Sequence, residues 1–227
     1  MGLEPKFFKN GNNYYLLLAV IIQMTFYTFF EDPKTRLIAL NMFSTFVLIA
    51  AVYAVGIKKH QIFIAISIAI LAFLGIWHSI IIESKVYLLV FSVIFQIVFY
   101  IYVIRLLLKS LFRAKQVDAN IIYGAIVVYL LIGISFSLLY SLIEGTTPSS
   151  FCINNIEGIS QKLNVFDFVY YSFTTLTSTG YGDISAVSLQ ARATSNIEAV
   201  IGVMYVAIII SRFVSIYIFQ SLNKRPD

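Results

Sequence analysis

Long apolar runs separated by short polar stretches set the character of this chain. Six of them, Tyr14–Phe30, Arg36–Gly56, Gln61–Ile82, Val86–Leu108, Asn120–Ile143 and Leu189–Leu222, are long enough to cross a hydrocarbon core, which takes about 20 helical residues. A seventh, "VFDFVYYSFTTLT" from Val165 to Thr177, is too short to span. Asn164 precedes it as an N-cap and Asp167 follows three residues later, the pattern of a capping box. A helix that enters a membrane and stops has to place its irregular continuation where protein or water lines it, because unpaired backbone facing lipid is not tolerated. The pattern therefore predicts an all-α membrane protein with six transmembrane helices and one re-entrant helix. Residues 1–115 would form a four-helix unit and residues 116–227 a second unit that holds the re-entrant segment.

Composition supports the membrane assignment. Of the 227 residues 59% are hydrophobic, 16% aromatic and only 12% charged, too little polar surface to cover a water-soluble domain of this size. The net charge of +5 raises the question of a nucleic-acid partner. The basic residues, however, stand singly or in pairs at the ends of apolar runs, where they orient helices and form no patch, so no nucleic acid is expected. Cys152 is the only cysteine, so an intrachain disulfide is impossible and pairing between subunits stays open. The opening "MGLEPKFFKNGNN" has neither the short apolar run and small-residue site of a cleaved signal nor, with Lys6 where Ser or Thr is required, a myristoylation pattern. No nucleophile with a base, no metal-ligating cluster and no phosphate-binding glycine loop can be read, so neither an enzyme nor a cofactor is expected.

Charge asymmetry orients the spans. Lys6 and Lys9, Lys58 and Lys59, Arg105, Lys109, Arg113 and Lys115, and Lys224 and Arg225 fall on one side of the six segments. Glu31, Asp32, Glu83, Glu144 and Glu157 fall on the other, balanced only by Lys34, Arg36, Lys85 and Lys162. The positive-inside rule then places both termini in the cytoplasm of a multi-pass cell-membrane protein, and the loop from Glu144 to Asn164 outside.

Directly after the short helix the chain reads "TLTSTGYGDIS", Thr175 to Ser185. If successive backbone carbonyls are to point toward one axis, alternate residues must take dihedrals that only glycine adopts cheaply, and Gly180 and Gly182 supply them. The carbonyls of Ser178, Thr179, Gly180 and Tyr181, with the Ser178 hydroxyl below them, would form a ladder of oxygens, the arrangement that replaces the water shell of a hard monovalent cation. One chain supplies one wall, so a closed ring calls for a symmetric homotetramer. The C-terminal end of the short helix carries about half a negative elementary charge and would aim it at the waiting cation.

The motif "STGYGD" after a short amphipathic helix resembles the selectivity filter of potassium channels, whose usual form is Thr-Val-Gly-Tyr-Gly-Asp. Residues Asn120–Ser221 resemble the two-helix pore domain of that superfamily. "IYGAIVVYLLIG", Arg192, Gly202 at the place of the hinge glycine and "IIISRFV" agree with it. The first four helices resemble the extra unit of six-helix prokaryotic channels in number and orientation. The resemblance implies potassium ions bound at Ser178, Thr179, Gly180 and Tyr181, with Gly182 completing the filter. It implies an inner cavity lined by Val203, Val206, Ile210, Val214 and Ile218, which fall on one helix face at i, i+3, i+7, i+11 and i+15. That aliphatic face predicts a constriction near Val214 or Ile218 that closes by dewetting.

Two departures from the usual filter matter. Ser178 replaces Thr, and Thr179 replaces Val or Ile, so the Thr179 hydroxyl needs a partner behind the filter, with Thr174 and Thr175 as candidates. The acidic residue common in the middle of the pore helix is absent, with Thr174 in its place, so a brace for Asp183 has to come from elsewhere. Tyr170 and Tyr171 are expected to cuff the filter. Glu198 is an ionisable side chain inside an apolar span, which points to function, to a place near the outer interface or to a structural bond with the pore helix. Arg212 is expected to reach lipid headgroups. The fourth segment carries no charge before Arg105, so steep voltage gating is not expected. A nonselective monovalent cation channel, a transporter-associated conducting subunit and a non-conducting receptor or scaffold remain as alternatives.

Overall fold

The structure, a computed structural model, describes residues 12–26, 29–54, 59–81, 86–153 and 163–222. Its elements are α1 (Asn12–Phe26), α2 (Pro33–Ala54), α3 (Lys59–Ile81), α4 (Val86–Arg113), α5 (Ala119–Thr146), β1 (Phe151–Ile153), α6 (Val165–Leu176), β2 (Ile184–Ala186) and α7 (Leu189–Leu222). Four helical stretches among the described residues are long and apolar enough to cross a membrane: Lys34–Ala54, Val90–Arg113, Ala119–Thr146 and Leu189–Ser221. Asn13–Phe26 and His60–Gly75 are shorter apolar stretches. Of the charges read for orientation, Lys6, Lys9, Lys58, Glu83, Lys85, Glu157, Lys162, Lys224 and Arg225 lie outside the described residues.

Two compact units divide the chain, one made of Met1–Leu131 with Ser215–Asp227 and the other of Ile132–Val214. In the first, α1 packs on α2, α2 on α3 and α3 on α4. Its buried apolar side chains include Leu16 and Val20 of α1, Val47 and Ala51 of α2, Ala65 and Ala72 of α3 and Phe99 and Val103 of α4. Polar pairs add to this packing, as is common where helices meet in lipid. Gln23 Nε2 donates to Ser44 Oγ at 2.8 Å, and Trp77 Nε1 donates to Thr45 Oγ1 at 3.2 Å.

Local chemistry starts these helices. Asp32 accepts from the Thr35 backbone N–H and hydroxyl, both at 2.8 Å, and Pro33 takes the first helical position, where a missing N–H costs nothing. The Thr35 backbone bond, with help from its hydroxyl, holds the Asp32 carboxyl below its ordinary value. Asp118 begins α5 in the same way, accepting from Ile121 N at 2.8 Å. At the start of α1, Asn13 exchanges two bonds with Asn120, from its backbone N–H to Oδ1 at 3.1 Å and from Nδ2 to the carbonyl at 2.9 Å.

The second unit is built around aromatic side chains. Tyr140, Phe151, Phe168, Tyr171, Ile184 and Ala191 form a buried core. Within it Tyr140 meets Tyr171 at 5.1 Å and Phe151 at 5.3 Å between ring centroids, edge to face, while Phe151 meets Phe168 and Tyr171 at 5.3 Å each. Such pairs contribute about 0.5–1.5 kcal/mol each beyond the area they bury. They tie the short helix α6 to α5 and to β1.

The strands β1 and β2 were not foreseen and qualify the all-helical expectation. They pair antiparallel with Phe151 opposite Ala186, Cys152 opposite Ser185 and Ile153 opposite Ile184. The Glu144 carboxylate anchors this ribbon. Its Oε1 accepts from Ser149 N at 2.9 Å, and its Oε2 accepts from Ser150 N at 2.9 Å and Phe151 N at 3.2 Å. Ser150 in turn offers its carbonyl to Val187 N at 2.8 Å and Ser188 N at 3.2 Å.

Candidate functional site

The foot of the site is the end of α6. That helix opens as its sequence predicts, with Asn164 Oδ1 accepting from Phe166 N and Asp167 N while Asp167 Oδ2 accepts from Asn164 N at 2.7 Å, a complete capping box. At its other end the chain turns back on its own last carbonyls. Thr177 N donates to Phe173 O at 3.1 Å, Ser178 N to Thr175 O at 2.9 Å, and Thr179 N and Gly180 N both to Thr174 O, at 2.9 and 3.2 Å. Thr174 and Thr175 therefore support the loop through their backbone oxygens. The Thr174 hydroxyl is turned back to Tyr171 O at 2.9 Å.

Beyond that turn the backbone alternates. Ser178 has φ 56°, Gly180 φ 55° and Gly182 φ 78°, all in the left-handed region, with Thr179 and Tyr181 between them outside it. This is the alternation that turns successive carbonyls to one side of a strand. At the glycines a Cβ would meet nothing within 4 Å, so the need for glycine lies in the dihedrals and not in space. Ser178 adopts the same region with a side chain, at a cost of about 1 kcal/mol. Nothing in the order of residues marks that position. From Thr177 to Asp183 every residue is exposed in the single chain.

The partner of the Thr179 hydroxyl differs from expectation. Its Oγ1 lies 2.8 Å from Thr177 Oγ1, and Thr177 Oγ1 also donates to Phe173 O at 2.7 Å. A hydroxyl two residues away reaches more easily than one on the helix above, whose own bonds are already made. Tyr170, one of the two tyrosines expected to cuff the filter, stands beside Asp183. The Asp183 carboxylate, with some burial behind it, raises the Tyr170 phenol above its ordinary range. The Tyr170 ring also stacks on Tyr181, 6.3 Å between centroids and 4° from parallel. Directly after Asp183 the chain enters β2, so the ribbon holds the outer end of the loop as α6 holds its foot. Arg192 steadies the exit, its Nε donating to Ala186 O at 3.1 Å.

Two residues of α7 close the site from behind. Glu198 is fully buried and bonded to both Tyr140 and Ser172, so of the alternatives read from the sequence the structure supplies the bond to the short helix. Gly202 is also buried, and a Cβ built there would fall on the Leu176 carbonyl oxygen and 3.1 Å from Leu176 Cδ1. A glycine is required here because α7 runs directly against the last residue of α6. Val203, Val206, Ile210, Val214 and Ile218 are all exposed in the single chain, between 43% and 58%, so the structure leaves the aliphatic face open.

The comparisons agree with this geometry. Residues 124–218 match the family model described as "Ion channel". No curated protein and no solved structure matches the chain. A helix that stops short, a loop of alternating dihedrals and a long apolar helix behind it lie within the stretch that matches an ion-channel domain, and with the apolar helices they support a membrane protein and ion conduction in general.

Proposed function

We propose that this protein is a potassium-selective channel, a homotetramer in the cell membrane that conducts passively down the electrochemical gradient with both termini in the cytoplasm. The observation that carries the reading is the run of left-handed dihedrals at Ser178, Gly180 and Gly182, tied at its foot to the carbonyls of Thr174 and Thr175. Potassium would be held by the carbonyls of Ser178, Thr179, Gly180 and Tyr181 and by the Ser178 hydroxyl, with oxygens from four chains replacing its water shell. The exposure of Thr177 through Asp183 in one chain is what a wall shared among subunits would have. Residues 116–227 are then the conducting unit and residues 1–115 an accessory unit, with Val203, Val206, Ile210, Val214 and Ile218 lining the inner cavity and membrane lipids around the whole.

The test is bilayer recording of the purified protein with potassium on one side and sodium on the other. The expected reversal potential follows potassium, and Gly180→Ala and Gly182→Ala each abolish the current, since each forces a side chain into a dihedral that costs about 1–2 kcal/mol per chain. Equal permeability to the two ions overturns the potassium assignment in favour of a nonselective cation channel. No current at all favours a receptor or scaffold with a pore-like fold.

A further inference from the structure

Three helices of the second unit converge on one carboxyl group behind the filter. Glu198 lies one turn before Gly202 on α7 and is fully buried, a costly place for an ionisable side chain in an apolar span. Tyr140 of α5 donates its hydroxyl to Oε2. Ser172 of α6, itself fully buried, has its Oγ 2.5 Å from Glu198 Oε1 and 2.7 Å from the carbonyl oxygen of Gly133 in α5. Among the described residues, the groups bonded to this carboxyl are those two hydroxyls, and neither carries a positive charge.

The protons in this cluster can be counted. Three oxygen–oxygen contacts, Tyr140 to Glu198, Glu198 to Ser172 and Ser172 to Gly133, need three protons if each is to be a hydrogen bond. Tyr140 and Ser172 bring one each, and a backbone carbonyl brings none. Nor does the neighbouring hydroxyl pair offer one: Tyr171 is paired with Ser195 Oγ at 2.8 Å, and Ser195 donates to Ala191 O at 2.8 Å. The third proton has its place on Glu198. With a carboxylate there, the single Ser172 proton would face two acceptors, and two oxygens would be left in contact with nothing between them, a penalty that burial makes large.

We infer that Glu198 is held as a neutral carboxylic acid and acts as a positioning residue for the filter, locking α6 to α5 and α7 and lending no charge to the ion path. Its influence runs through Ser172 to the next turn of α6, where the Thr174 carbonyl receives the amides of Thr179 and Gly180. Removing the side chain frees the helix that anchors the foot of the oxygen ladder. The influence on permeation rests on the channel reading above. The protonation does not.

Infrared spectra of the full chain in lipid, together with potassium flux into liposomes, test both parts. The unmodified protein is expected to show the carbonyl stretch of a protonated carboxylic acid that disappears in Glu198→Gln. The amide can accept from Tyr140 and donate to Ser172, so Glu198→Gln retains most of the flux that Glu198→Ala loses, and Glu198→Ala falls by about tenfold or more because the buried Tyr140 hydroxyl loses its acceptor and Ser172 is left tied to α5 alone. Ser172→Ala leaves the acid in place and shifts its band, which keeps the test decisive if Glu198→Ala does not assemble. Absence of an acid band attributable to Glu198 overturns the protonation, whether or not the protein conducts. Flux in Glu198→Gln as low as in Glu198→Ala overturns the positioning role and assigns Glu198 a charge.

Discussion

Tyr170 shows how one hydroxyl can hold a functional loop. It stands beside Asp183 and lays its ring on Tyr181, so it meets the loop on both sides of Gly182. The neighbouring Asp183 carboxylate keeps the phenol proton more tightly in the folded chain than in the unfolded one, where tyrosine titrates at about 10. A group whose value is raised on folding contributes fully below its unfolded value and loses that contribution as pH rises through the folded one. Conduction is therefore expected to be steady through neutral pH and to fail reversibly in solutions more alkaline than about pH 10. Tyr170→Phe should remove that alkaline step and shorten the time for which the pore conducts at neutral pH. Single-channel recordings across an alkaline series check both. An alkaline step unchanged in Tyr170→Phe would place the titrating group elsewhere.

Among the elements, α6 decides the site because everything functional leans on it. Gly202 of α7 meets its last carbonyl, Ser172 bonds α5 and α7, and its aromatic face packs on α5 and β1. Gly202 was read as a hinge from family resemblance, and its burial against Leu176 gives it a second reason to be glycine. Gly202→Ala pushes a methyl into that carbonyl and, like other overpacking, should cost about 1–3 kcal/mol. The expected outcome is a lower melting temperature of the assembled protein together with altered filter conduction. A hinge alone would change the opening rate and leave the melting temperature in place. Much of this element could be read in advance: the Asn164–Asp167 capping box, its failure to span and its end at the glycine motif are written in consecutive residues. The ribbon could not, because "FCI" and "ISA" are too short to show alternation and pair across a gap that includes the whole of α6. The approach of Tyr170 to Asp183 and the bonds from Glu198 to Tyr140 and Ser172 were hidden for a related reason, since they join residues far apart in sequence or depend on where a side chain points. Ser178's left-handed backbone has no sequence mark at all, being imposed by the carbonyls that α6 leaves open.

At the scale of the molecule, the question is what the first four helices can do. In α4 the first charge is Arg105, twenty residues into the helix if Val86 is counted as the first, and Arg105 and Lys109 are both exposed near its end. Moving one charge through a whole membrane field yields about 2.3 kcal/mol per 100 mV, and steep gating takes about three or four such charges per subunit. Open probability should therefore vary only shallowly with voltage, and Arg105→Gln should leave that dependence nearly unaltered. A steep conductance–voltage curve that this substitution flattens would show α4 to be a voltage sensor after all.

The exposure of the loop from Thr177 to Asp183 bears on how such a protein would be made. Within one chain, Thr177 through Asp183 are held at both ends, yet present themselves along one side to whatever surrounds the subunit. Lipid cannot satisfy irregular backbone within the hydrocarbon core. If the loop is one wall of a filter shared among four chains, as proposed, a newly inserted subunit alone in the bilayer would keep it near the aqueous surface, and its final backbone would become favourable only when neighbours arrive. On that reading maturation would follow the surface density of the protein, sparse subunits remaining longer than crowded ones in the state that precedes assembly.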